Sequence, residues 1–262
     1  MLIKLEMNQK NIIAAYSMIE NINEIKDKLM RAIKSYHKAL EACDPEKNGV
    51  IYALVQNNLG MSYMKLASID NAKENLIKAI NAYKEALKIR RIDTHPEGYA
   101  NTQNNLGTAY MKLASIDNAK ENLIKAINAY KEALKIRRID THPEGYANTQ
   151  NNLGTAYMKL ASIDNAKENL IKAINAYKEA LKIRIQKKNP LKYFMLQKSI
   201  GDAYYELSFR EDREENLSEA LNFYQRFLKI EKEIDGYMYL QTMFREIKNK
   251  IQTLKSYGEK ME

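Results

Sequence analysis

The chain of 262 residues holds one cysteine, no tryptophan, four prolines and nine glycines. A lone thiol excludes a disulfide framework and any site built from several cysteines, and it suits a reducing, cytoplasmic setting. So little Pro and Gly argues against a turn-rich β architecture and for long helices. No apolar run approaches the roughly 18 residues that a membrane-spanning helix needs. The first residues, MLIKLEMNQKNIIAAYSMIE, interrupt their apolar side chains with Lys, Glu, Asn and Gln, unlike a signal peptide. Hydrophobic residues still make up 45% of the chain, enough for a sizeable core and too many for wholesale disorder. A soluble, basic, mostly helical protein without membrane association is therefore expected.

What the sequence does have is repetition. Tyr63–Arg137 recurs without a change as Tyr110–Arg184, an offset of 47 residues. The motif NNLG stands at Asn57–Gly60, Asn104–Gly107 and Asn151–Gly154, and a weaker copy, Lys198-Ser199-Ile200-Gly201, follows in register. Upstream, Ala32-Ile33 and Tyr36 precede Ala79-Ile80 and Tyr83 by the same offset. Such periodicity predicts one all-α array over 1–262, with no domain boundary inside it. Its expected parts are a degenerate unit over 9–48, units over 49–95, 96–142 and 143–189, a diverged unit over 190–235 and a cap helix over 237–257. Identity over so long a stretch points to a recent duplication or a deliberately repeated design.

Each unit reads as two antiparallel helices. Pro96 suits the first position of a helix and Glu97 its positive end. Tyr99, Leu106, Tyr110 and Leu113 then form one apolar stripe. Ala114–Asn118 breaks the pattern, Asp117 or Asn118 can cap the next helix, and Asn118 followed by Glu121 also fits a capping box. A second helix of about 20 residues carries Ala119, Leu123, Ala126, Ile127, Tyr130, Ala133 and Leu134 at spacings of three and four, with Arg137 and Arg138 near its negative end. Pro96, Pro143 and Pro190 share the boundary position, whereas Pro45 lies four residues early. At the start of the chain, Asn11–Glu20 and Asn23–Ala42 are expected to pack as a degenerate pair.

Leu106-Gly107 with Tyr110, followed by Ala126, Tyr130 and Ala133, resembles the tetratricopeptide repeat: Leu-Gly and an aromatic on one helix, a small–aromatic–small series on the next. The unit is longer than the family's usual ~34 residues, and its HP turn with Asn151-Asn152-Leu153 resembles the extended repeats of kinesin light chains. The resemblance implies a right-handed α-solenoid, with Gly107, Ala126 and Ala133 permitting close helix approach. It also implies a concave groove lined by the first helices, where the positions of Asn101, Asn104, Asn105 and Thr108 face bound peptides.

That groove is the functional candidate. Opposite the apolar stripe of the first helix run Asn101, Asn104, Asn105 and Thr108, then Asn148, Asn151, Asn152 and Thr155 in the next unit, and Asn57 and Asn58 in the one before. Asn is a poor helix former, so its recurrence asks for a role beyond propensity. An amide offers donor and acceptor together, and a ladder of them can pair with an extended peptide backbone of any sequence. The same residues on neighbouring helices can instead bond to one another and hold the stack. Met195, Lys198, Ser199 and Asp202 replace them in the diverged unit.

The partner expected is a peptide or protein segment, with an acidic one favoured by a net charge of +9. Each unit Met64–Tyr110 carries seven basic and five acidic residues, so the surplus is spread evenly and reads mainly as a solvated face. Nucleic acid is disfavoured, because Tyr63, Tyr83, Tyr110 and Tyr130 fall on core stripes. A second reading is a structural or self-assembling array without a heteroligand, since identical surfaces can propagate as homo-oligomers. Enzyme activity is not expected, and neither a cofactor nor a metal is implied. Cys43 has no base at a motif spacing, and Asp93, His95 and Glu97 read as a solvated turn.

Overall fold

The computed structural model describes residues 2–184, 190–229 and 238–258, with the side chains of 20–184, 190–229 and 241–254. These residues form ten α-helices and no strand: α1 (Leu2–Glu41), α2 (Gly49–Leu66), α3 (Ala72–Ile89), α4 (Pro96–Leu113), α5 (Ala119–Leu134), α6 (Pro143–Ala161), α7 (Ala166–Ile183), α8 (Pro190–Leu207), α9 (Arg213–Leu228) and α10 (Met238–Gly258). The fold is all-α and repetitive, as the periodicity predicts. No helix among the described residues is long and apolar enough to cross a membrane.

The chain divides into two compact units, Met1–Ala119 and Lys120–Glu262. In the first, α1 packs on α2, α2 on α3 and α3 on α4. In the second, α6 packs on α7, α7 on α8, α8 on α9 and α9 on α10. Prolines open α4, α6 and α8, where a missing N–H costs nothing. At the same register α2 begins with Gly49, and Pro45 belongs to the preceding turn.

The second helix of each pair buries one stripe completely. Leu76, Ala79, Ile80, Tyr83 and Ala86 of α3 are buried, as are Leu170, Ala173, Ile174, Tyr177 and Ala180 of α7. The aromatic of that stripe lies flat against a glycine of the first helix. A β-carbon on Gly154 would stand 2.7 Å from the Tyr177 ring, and one on Gly60 would stand 2.6 Å from Tyr83. The Leu-Gly pair is thus a steric requirement of the ring that follows 23 residues later.

Two expectations are corrected. The N-terminal pair is a single helix, α1, running through the break expected near Asn21 to Asn23. No Gly or Pro stands there, and Asn alone lowers helix propensity without ending a helix. The capping box at Asn118 is the second. Asn71, Asn118 and Asn165 take left-handed backbone angles, with φ of 45°, 43° and 43°, and Asp212 follows with 39°. At Asn71 and Asn165 no side-chain cap bond forms. Asn is chosen here because it tolerates this conformation. The turn is held from inside the helix instead, as buried Asn75 donates to the Asp70 carbonyl at 2.8 Å and Asn169 to that of Asp164 at 2.7 Å.

Successive pairs are also tied by a recurring surface ion pair. Lys26 meets Asp70 at 2.7 Å and Lys73 meets Asp117 at 2.8 Å in the first unit; Lys120 meets Asp164 at 2.8 Å and Lys167 meets Glu211 in the second. Exposed pairs of this kind contribute about 1 kcal/mol or less each.

Candidate functional site

The first helix of each pair carries the candidate row, on α2 and α4 in the first unit and on α6 and α8 in the second. Asn101 and Asn148 are exposed, and Asn58, Asn104, Asn105, Thr108, Asn151, Asn152 and Thr155 are half-buried. Asn57 differs, being only 7% exposed. Its Oδ1 lies 3.3 Å from the Thr102 hydroxyl and accepts from Asn105 Nδ2 at 3.4 Å. Between α2 and α4 the amide row therefore bonds helix to helix, the ladder role. Asn101, Asn104 and Asn152 are each engaged with neighbouring groups as well.

The threonines of the row have a further use. Thr155 donates to the Asn151 carbonyl at 3.0 Å and accepts from the buried Tyr177 hydroxyl at 3.2 Å. Burial pushes the Tyr177 hydroxyl up to about 12, so it stays a donor under all ordinary conditions. In the diverged unit Asp202 takes the place of Thr155. It accepts from Tyr224 Oη at 2.8 Å and pairs with Lys198 at 2.6 Å and Lys250 of α10 at 3.0 Å. Burial would raise the Asp202 carboxyl, but Lys198 and Lys250 outweigh it and hold it below its ordinary value. In the first pair Met61 holds the matching position, and the buried Tyr83 hydroxyl has no hydrogen-bond partner among the described residues.

A row of arginines completes the site, one that reading the side chains as helix-end cations overlooks. Arg90, Arg137 and Arg184 follow one another at the repeat offset. Arg90 Nη1 donates to Thr102 Oγ1 at 2.9 Å, and Arg137 Nη1 donates to Thr149 Oγ1 at 2.7 Å. Both threonines are fully buried. Burial pulls both guanidinium groups below their ordinary value. Arg184 is 4% exposed, pairs with Glu144 and donates to Asn148 Oδ1 at 2.6 Å. That bond occupies the Asn148 carbonyl oxygen and leaves its amide NH2 as the donor on an exposed side chain. The signal was present in the sequence as Arg, Gly eight residues on and Thr twelve residues on, repeated in Arg90-Gly98-Thr102 and Arg137-Gly145-Thr149.

The remaining reactive side chains are engaged locally. His95 Nδ1 is 2.9 Å from Thr94 Oγ1, Asp93 pairs with Arg91 at 3.3 Å, and Cys43 is half-buried with its Sγ 3.8 Å from the Asn48 carbonyl. Among the described residues no cluster of His, Cys, Asp and Glu is arranged to hold a metal ion. Lys112, near the end of α4, donates to Ser68 Oγ at 3.2 Å.

Comparison with known proteins agrees with this architecture. Residues 100–144 match one family model described as tetratricopeptide repeat, and residues 53–85 and 147–180 match another of the same description. Among solved structures, BtubC (BKLC) from P. vanneervenii is similar with a TM-score of 0.56 at 19% identity, over 89% of this chain and 92% of that one. MamA is similar with a TM-score of 0.54 at 22% identity, over 79% of this chain and 91% of that one. At such identities the likeness is one of fold. No curated protein matches the sequence.

Proposed function

The chain is a tetratricopeptide-repeat protein, and from that premise we propose that it is a protein-interaction scaffold whose first helices hold an extended peptide or protein segment. The observation that carries this reading is the amide and hydroxyl face that α4 bears in the first unit and α6 bears again in the second, above all Asn148 of α6, exposed yet bonded through its carbonyl oxygen to buried Arg184. A polar side chain fixed before binding loses little entropy on binding, so its bond contributes more of its strength to affinity. The even basic surplus favours an acidic segment over a neutral one. No catalytic role is proposed, and a cytoplasmic setting suits the single free thiol.

The test is selection of random short peptides on the whole chain, followed by calorimetry with those enriched. Asn104→Ala with Asn151→Ala is expected to weaken binding about three- to tenfold without lowering the melting temperature. No enrichment, or enriched peptides indifferent to both changes, defeats the reading. The bonds of Asn57 to Thr102 and Asn105 favour a second one, an array in which the amides serve the stack alone. Under it the two Ala changes lower the melting temperature and leave no peptide binding to lose. Light scattering against concentration would then show whether identical faces propagate into oligomers.

A further inference from the structure

The arginine row is unevenly satisfied. Arg184 at the end of α7 closes on two side chains of its own first helix, the carboxylate of Glu144 and the amide of Asn148. The residues at those two positions in the first complete pair are Val50 and Leu54. Arg90 therefore keeps its bond to Thr102, lies over Gly98, where a β-carbon would be 3.1 Å from its Nε, and forms no ion pair with an acidic side chain among the described residues. The nearby carboxylate of Asp93 belongs to Arg91. Ile89, next to Arg90, abuts the start of α2: a β-carbon on Gly49 would be 3.2 Å from its Cγ2. Thr102, which accepts from the guanidinium, itself donates to Asn57 of α2 at 3.3 Å, and the α2 positions that match Glu144 and Asn148 of α6 carry exposed apolar side chains, Val50 at 60% and Leu54 at 48%, with Ile51 at 57% beside them.

A partly buried cation without a counter-charge, beside exposed apolar side chains, is an arrangement that costs stability unless something covers it. The third pair displays what Arg90 lacks. We propose that the face of α2 and the Arg90 guanidinium form a docking site for a peptide segment of a partner protein that carries an Asp or Glu beside apolar side chains. Its carboxylate takes the place that Glu144 takes on Arg184, in the two-pronged geometry that suits a guanidinium. Its apolar side chains cover Val50, Ile51 and Leu54. This inference rests on the groove reading and narrows it to one end and one chemistry.

The experiment uses the same selection of random short peptides on the whole chain. Enriched peptides are expected to carry Asp or Glu close to apolar residues. They should bind Arg90→Gln about 30-fold or more weakly. The double variant Val50→Glu, Leu54→Asn supplies the missing pair from within; it is expected to melt at a higher temperature than the parent chain and to lose the same peptides. Peptides without acidic residues, undiminished binding to Arg90→Gln, or a double variant that melts lower would each overturn the proposal. Concentration-dependent self-association abolished by the double variant would also overturn it, by assigning the face to a second copy. Peptides that depend on Asn104 and Asn151 but not on Arg90 would leave the groove reading standing and sink this one. Absence of any enrichment sinks both.

Discussion

Tyr83, Tyr177 and Tyr224 occupy one repeat position, and their hydroxyls end differently. Tyr177 finds Thr155 and Tyr224 finds Asp202, whereas Tyr83, in whose pair the matching position holds Met61, finds no hydrogen-bond partner among the described residues. A buried hydroxyl without a partner is costly, so Met61→Thr should raise stability by about 1 kcal/mol. Thermal melting of the variant checks this, and Tyr83→Phe in the same assay should be nearly neutral. Backbone angles supply a second prediction. Asn165 has a φ of 43°, so Asn165→Ala should cost ~1–2 kcal/mol while Asn165→Gly costs little. Denaturant unfolding of the two variants separates conformation from side-chain bonding, because a capping role would penalise both. Sequence pattern placed these residues on the right elements. It could not say that Asn118 turns the chain where a capping bond was expected, since Asn serves both purposes equally well.

Among the elements, α10 shows how an end of the array is closed. Phe244, Ile247 and Leu254 join Phe194, Ala220, Tyr224 and Phe227 in one buried cluster, and Lys250 reaches Asp202 beside it. The folded Asp202 carboxyl lies below its ordinary value, with burial opposing and the two lysines prevailing. Its contribution to stability is therefore complete above the unfolded value near pH ~3.9 and fades as pH falls through the lower folded value. Melting curves taken into that acid range should show the parent chain losing more stability than Asp202→Asn, which has no such charge to lose. The amphipathic pattern made α10 legible as a cap, whereas its polar contact with Asp202 joins residues 48 apart and leaves no local mark. For α1 the local pattern misled. Two apolar stretches look like two helices, and only the continuous backbone shows that nothing between them stops the first.

For the molecule as a whole, the exact copy of 75 residues at an offset of 47 makes one deletion unusually clean. Removing residues 64–110 joins Tyr63 to Met111 and regenerates the sequence that already follows Tyr110. The shortened chain should remain helical by circular dichroism and unfold at a lower denaturant midpoint, because an array's stability is a sum over repeats and their nearest-neighbour interfaces. The sequence by itself determined the helix-pair unit, its proline boundaries and the buried stripes. All of these depend on spacing within one unit and on side-chain size, which any copy of the unit carries with it. Only the tertiary structure decided what the polar residues do. Asn57 is consumed between helices, Asn148 is bonded by Arg184, and Arg90 reaches Thr102 with no carboxylate among the described residues. Their partners come from helices brought close in space, and an amide or a guanidinium accepts several partners equally well. Identical residues therefore end in different roles wherever the neighbouring helix differs, as α2 differs from α6 at Val50 and Leu54.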